Sequence, residues 1–337
     1  MDGQGWRQAL YSYVNHYNRV QVGEGPVRED GVITDLGLLY QRGELRSRLV
    51  EWYRERGAVP LRSETRASQL RVVTSLPEET VVDVRLQLRV FYVKGGMTHR
   101  EDRIEQERLT FIRDGRYWII SRVERDSAEG RSETKVAFPE TADGLGSIVR
   151  PDNPPFLNQE VLGASGGGRP IRYRREEAVA YADRWWDSYN PEFEAFDVDC
   201  TNYVSQCLFA GGAPIHYTGK RESGWWYRGR SSGKELWSFS WAVSNALERY
   251  LGASGRSFDA VPVERPEQLM LGDVISYDWD GDGTFQHSTI VTAFDAGGMP
   301  LVNAHTVNAR HRYWDYRDSY AWTDRTVYRF YHIADHL

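Results

Sequence analysis

The sequence predicts an α+β protein of two domains, and three observations carry that reading. Apolar residues recur at helical spacing up to about Arg56 and then, from Val82, at a period of two. Regular patterning lapses between Pro139 and Arg169. Beyond that gap a helical pattern is followed by short strand patterns separated by Gly and Asp turns. The length of 337 residues fits two domains of roughly 150 residues each. We therefore expect an N-terminal α+β accessory domain over residues 1–138, a linker over 139–170 and a second domain over 171–337.

Each element of the first domain has its own warrant. Trp6 to Val22 carries Leu10, Val14 and Tyr17 on one helical face. Asp35 to Arg56 repeats the pattern with Leu38, Leu39, Leu45, Leu49 and Trp52. Val82, Val84, Leu86, Leu88, Val90 and Tyr92 then alternate with Asp83, Arg85, Gln87 and Arg89, which is a strand with one buried face. A further strand runs from about Ile104 to Ile112 and turns at Asp114-Gly115, a favoured hairpin dipeptide, into Tyr117–Val123. Helices feeding a curved antiparallel sheet resemble the NTF2-like or cystatin-like cone. Such a domain serves for interaction or for positioning a substrate, since no cluster of acids, histidines or nucleophiles stands out in it.

Composition excludes several classes. The formal charge is −6, with 13% aromatic residues, too many for a disordered chain. Residues 1–150 carry a net of +1 and residues 151–337 a net of −7, so neither part has the basic balance of a nucleic-acid binder. No apolar run reaches the roughly 20 residues needed to span a bilayer. The opening stretch shows neither a basic n-region nor an apolar h-region, so a cytoplasmic location is the default expectation. Two cysteines make no disulfide framework and no zinc site, and no cofactor is expected.

Chemistry concentrates in the second half. After a helix from Arg174 to Tyr189 comes Asp199-Cys-Thr-Asn-Tyr-Val-Ser-Gln-Cys-Leu-Phe-Ala-Gly-Gly212. Asp199 suits an N-cap and Gly211-Gly212 a helix end, which puts Cys200 in the first turn. Free N–H groups and the helix dipole favour a thiolate there, while the Asp199 charge opposes it unless that side chain is turned into the cap. Cys207, two turns on, reads as packing. Downstream, Leu271-Gly-Asp-Val-Ile-Ser-Tyr277 turns into a strand, Gln286-His-Ser-Thr-Ile-Val291 forms a second and Pro300–Thr306 a third. A thiol at a helix start, His287 at a strand start and the polar pair Asn303 and His305 on the next strand are the parts of a cysteine nucleophile system.

These residues carry a resemblance. Asp199-Cys-Thr-Asn-Tyr-Val-Ser-Gln206, Gly272-Asp-Val-Ile, Gln286-His-Ser-Thr-Ile-Val and Leu301-Val-Asn-Ala-His-Thr resemble the bacterial putative amidase domain over about residues 173–335. More distantly they are similar to NlpC-type cell-wall peptidases and cysteine/histidine-dependent amidohydrolases. The resemblance implies a papain-like, NlpC/CHAP-like α+β fold and amide hydrolysis, with peptidoglycan stem peptide as the favoured substrate class. Cys200 is then the nucleophile, His287 the acid–base and Asn303 the orienting third residue, with His305 as the alternative. Backbone N–H groups at the start of the Cys200 helix would bind the oxyanion. Two rival classes share this fold: a catalytically silent groove-binding module and an acyl transferase.

Two remaining features each admit two readings. Trp225-Trp226-Tyr227 follows a glycine and precedes a polar loop, so Trp225 and Trp226, with Asp199 and Gln286, are candidates for a substrate groove, although aromatic residues more often fill a core. Asp278, Asp280 and Asp282 match the opening of an EF-hand loop. Thr289 stands where its bidentate glutamate belongs and no helices flank it, so a solvated hairpin loop is expected.

Overall fold

The computed structural model describes residues 5–24, 31–125, 129, 172–231, 234–253 and 257–336. The expected linker, 139–170, lies outside the described residues. The chain divides into two compact units. The first comprises Met1–Ser127, Phe294–Met299 and Val307–Trp322, and the second Ala128–Ala293, Pro300–Thr306 and Thr323–Leu337. The sequence boundary differs from this division, because two segments expected in the second domain pack with the first.

In the first unit, helices α1 (Trp6–Gln21) and α2 (Leu36–Glu55) precede strands β1 (Ala58–Ser75), β2 (Glu79–Lys94), β3 (Met97–Asp114) and β4 (Tyr117–Arg125). Asp35 starts α2 by accepting the Leu38 N–H at 3.0 Å, and its other oxygen accepts the Val123 N–H, which ties the helix to β4. The sheet is antiparallel, β2 pairing with β1 and β3, and β3 with β4. Trp6, Ala9, Tyr13 and Leu38 of the helices close on Val82, Val84, Leu86, Leu109, Phe111 and Ile120. The alternation at Val82–Tyr92 is thus the core face of β2. Strand β1 escaped the sequence reading. Pro60, three register shifts and exposed Val59, Leu61, Leu70 and Val72 blur its period of two.

The segment Val307–Trp322 joins this unit through hydrogen bonds and charge. Its strand, which becomes β11 below (Asn308–Tyr313), pairs antiparallel with β3 from Asn308↔Ile104 to Arg310↔Asp102. Arg103 of β3 meets Asp318 at 2.7 Å, and Arg312 meets the same carboxylate at 3.1 Å, all three side chains being almost wholly buried. Two guanidinium groups hold the Asp318 carboxyl below its usual range, against desolvation, which pushes it up. The Arg56 guanidinium lies over the rings of Trp52, Tyr53, Tyr92 and Tyr313 at 3.9–4.8 Å. Trp52 Nε1 donates to both oxygens of Asp315 at 2.9 Å.

The second unit contains α3 (Arg175–Trp185), α4 (Cys200–Ala210), the ribbon β5 (Tyr227–Ser231) and β6 (Lys234–Trp237), and helices α5 (Phe239–Ala242) and α6 (Ser244–Gly252). Strands β7 (Ala260–Val263), β8 (Val274–Asp278), β9 (His287–Phe294), β10 (Pro300–Ala304) and β12 (Val327–Ile333) form a sheet in the order β10-β9-β8-β12-β7. Ala178 and Ala182 of α3, Tyr203, Val204, Cys207 and Leu208 of α4, and Val274, Ile290, Tyr331 and Ile333 of the sheet share one core with Trp225, Trp237 and Trp241. The protein thus mixes helix and sheet in both units.

Burial pushes the Asp315 carboxyl from 3.8 up to about 7, although hydrogen bonds from the Arg317 N–H and Trp52 pull it down. The folded chain therefore keeps a proton that the unfolded chain releases near pH 4. The stability linked to that proton is full below this range and is lost as pH rises through about 7. We expect the stability of the native chain to fall between pH 4 and pH 7 by about 1 kcal/mol per pH unit more than that of Asp315→Asn. Thermal unfolding of both over this range checks it, and parallel profiles would refute it.

Candidate active site

The start of α4 is held from outside the helix. Asp199 is the N-cap residue of α4, as expected, but its side chain makes no capping hydrogen bond to the helix backbone. Its Oδ1 accepts the Phe196 N–H at 2.9 Å and Asn202 Nδ2 at 2.8 Å, and its Oδ2 meets His305 Nδ1 at 2.7 Å. The cap is supplied by Thr306 instead. Its Oγ1 accepts the Asp199 N–H at 3.1 Å and the Cys200 N–H at 3.2 Å. Two adjacent N–H groups thus converge on one oxygen position beside the thiol, the arrangement an oxyanion requires. Thr306 has φ of +85°, a left-handed conformation that costs a β-branched residue about 1–3 kcal/mol.

His305 is locked in place. Its Nε2 lies 2.7 Å from the Trp185 carbonyl at the end of α3, its ring stacks on Tyr203 at 4.0 Å, and Tyr189 meets it edge-on at 4.9 Å. A carbonyl only accepts, so Nε2 carries a proton. The contact between Nδ1 and Asp199 Oδ2 holds a second proton, whichever atom owns it. The Asp199–His305 pair therefore has no net charge, and His305 has no lone pair left to orient another imidazole. Helix α3 ends at Trp185, four residues short of the expected Tyr189.

His287 opens β9 and is wholly buried, as is Cys200. Thr201 Oγ1 and Ser288 Oγ, which belong to their next neighbours in sequence, lie 3.4 Å apart. The helix start and the strand start therefore meet at one end of the unit. Ser288 and Ile290 face α4 and its core, whereas the His287 ring packs on Tyr277 at 5.4 Å and nearly parallel to Trp279 at 5.8 Å. His287 pairs across the ladder with Tyr277, whose hydroxyl reaches Thr289 at 3.1 Å, so His287 lies on the face away from Ser288.

Asn303 is placed elsewhere than expected. Its Oδ1 accepts from Thr292 Oγ1 at 2.8 Å and its Nδ2 donates to Asp183 at 3.0 Å. Thr292 is five residues beyond His287 along β9, roughly 16 Å of strand. Asn303 clamps α3 to the sheet, and the expectation that it adjoins His287 is corrected by this register.

The groove candidates are also corrected. Trp225 and Trp226 are buried. Trp225 stacks on Trp241 at 4.8 Å and donates to Ser205 at 3.0 Å, while Trp226 donates to the Ser223 carbonyl at 3.1 Å. Gln286 is buried too, accepting the Trp279 N–H at 2.8 Å and donating to Asp280 at 3.1 Å. Asp199 faces His305 instead of a groove. Asp278, Asp280 and Asp282 can bring one oxygen each within 4.8 Å of one another. Asp278 nevertheless spends its carboxylate on the N–H groups of Gly281 and Gly283, each at 2.8 Å, so the loop folds as a self-bonded turn. Burial pushes the Cys207 thiol well up, and it packs against α3 as expected.

Sequence reasoning missed Thr306, Asn202 and Asp183. Asn202 was legible in principle. Three residues after Asp199, it lies on the same side of the first turn, where it links Asp199 to the Glu194 carbonyl and accepts Trp241 Nε1 at 2.8 Å. Thr306 gave no signal, because a β-branched residue is a poor guess for positive φ. Replacing Trp225 by Ala should cost about 3–5 kcal/mol in urea unfolding, the cost of emptying a packed aromatic site. A loss under 1 kcal/mol would return Trp225 to the groove.

Residues 172–331 match a family model described as a "putative amidase domain". The uncharacterized protein YhbB of Bacillus subtilis (strain 168) is 49% identical over 168 residues, which make up 50% of this chain and 52% of that protein. The chain thus spans about half the length of the curated relative it matches. No solved structure matches it. Within this mixed helix and sheet protein, residues 172–331 are thus similar to a putative amidase domain.

Proposed function

We propose that the protein hydrolyses an amide bond through a thioester formed on Cys200, in a domain of papain-like type. The observation that carries this reading is the convergence of the Asp199 and Cys200 N–H groups on one oxygen position at the helix start bearing the thiol. The thiolate attacks the amide carbonyl, and the carbonyl oxygen takes the place of Thr306 Oγ1 on those two donors. The C–N bond then breaks, the departing amine takes a proton from the imidazolium of His287, and water releases the acid from the thioester.

His287 suits the acid–base role better than His305, whose two nitrogens are already engaged. For proton transfer the His287 imidazole faces the Cys200 sulfur. Catalytic hydrogen bonds are commonly made only once substrate is bound. The burial of both groups means that substrate entry opens the site. The resemblance to cell-wall amidohydrolases makes peptidoglycan stem peptides the substrate class to try first.

Incubating the full chain with purified wall peptides and weighing the products tests this. Cys200→Ala should give no product, and His287→Ala should lower turnover by about 10²–10⁴-fold. Cleavage that persists in folded Cys200→Ala overturns the nucleophile assignment. Asn303→Ala should leave turnover within about tenfold of the native rate while lowering stability by about 1–3 kcal/mol, because Asp183 and Thr292 lose a buried partner. A drop in turnover of several powers of ten would restore Asn303 to the dyad.

A further inference from the structure

We propose that His305 is a positioning residue that acts through Asp199: it cancels the charge of the carboxylate next to Cys200, so that the thiol can ionise. The proposal rests on Cys200 being the nucleophile. A carboxylate beside a buried thiol disfavours the thiolate, since like charges in a site without water repel strongly. Asp199 has a side chain 1% exposed and that of His305 is 3% exposed, so solvent screens neither. The contact of 2.7 Å between them holds one proton, and the Nε2 proton is fixed by the Trp185 carbonyl, so the pair is neutral in either proton assignment.

The surroundings reinforce the pair. Asp199 Oδ1 takes two neutral donors, the Phe196 N–H and Asn202 Nδ2. His305 faces the rings of Tyr203 and Tyr189. Titratable groups on the packed elements include Tyr181 and Asp183 of α3, Tyr203 and Cys207 of α4, and His287 of β9. Burial, and in smaller part the Asp199 charge, holds the Tyr181 hydroxyl above its usual range. His305 is the imidazole in direct contact with the Asp199 carboxylate.

The test is the pH dependence of Cys200 alkylation by iodoacetamide in the full chain, followed by peptide mass mapping so that Cys207 is read separately. In His305→Gln the carboxylate stands alone, and the alkylation midpoint should rise by one pH unit or more. In Asp199→Asn/His305→Gln no charge remains, and the midpoint should return to within half a unit of the native value. Asp199→Asn alone should also stay within half a unit above pH 7, because the charge it removes was already balanced. This variant decides the matter if His305→Gln does not fold. A midpoint lowered by a unit in Asp199→Asn, or a double variant that stays as high as His305→Gln, overturns the proposal. A native chain whose Cys200 resists alkylation at every pH overturns instead the underlying reading of Cys200.

Discussion

A carboxylate at the start of a helix that also bears a thiol is a conflict the structure has to resolve, and much of the second unit is arranged around it. Asp199 and its N–H engage four residues: Phe196, Asn202, His305 and Thr306. Two of these come from the end of β10, more than a hundred residues away in sequence. Local capping would have spent the Asp199 side chain on the N–H groups of its own helix, without a cation or imidazole to offset its charge. Here the cap comes from a threonine across the unit, which frees the carboxylate to be neutralised by an imidazole.

The same habit of burying charge with its partner runs through the first unit. Arg103 and Arg312 share Asp318 out of solvent, and Arg56 is enclosed by four aromatic rings. Buried pairs of this kind add little net stability over a well-packed apolar alternative, because desolvation cancels most of the attraction. Breaking one leaves an uncompensated charge and is costly. In Val307–Trp322, Asp318 meets Arg103 of β3, and Asp315 is held by Trp52.

The parts legible in the sequence were those whose signal is local. The alternation at Val82–Tyr92, the Asp114-Gly115 turn and the helix at Cys200–Ala210 all appear, because period and turn chemistry are properties of neighbouring residues. The long edge strand β1 was not legible, since its exposed positions mix Val and Leu with charges. The placement of Cys200 and His287 at one end of the second unit followed from the order helix then strand. The partners of Asn303 and His305 did not follow, because strand register is set by the turn between β9 and β10. Strand alternation cannot say which rung Asn303 meets, nor that β10 ends at Ala304 and leaves His305 in the turn that follows. Trp225 and Trp226 were misplaced for a related reason. A glycine followed by aromatics is the same string whether the rings line a groove or fill a core, and Gly224 at φ of +76° serves to turn the chain inward.

The domain boundary was misread because charge partnership leaves no mark on local periodicity. Residues 307–322 lie within the stretch that matches the amidase family model, yet their acids and rings find their partners in residues 52–103. Asp315 is held by Trp52, and Asp318 by Arg103. This segment follows directly on His305 and Thr306, the two residues that hold the start of α4. The chain therefore passes from neutralising the carboxylate beside Cys200 to neutralising buried arginines of the first unit within about a dozen residues. Thr306 takes its left-handed φ where the chain leaves β10. A residue that caps the Cys200 helix with its hydroxyl also starts, with its backbone, the segment that completes the first unit.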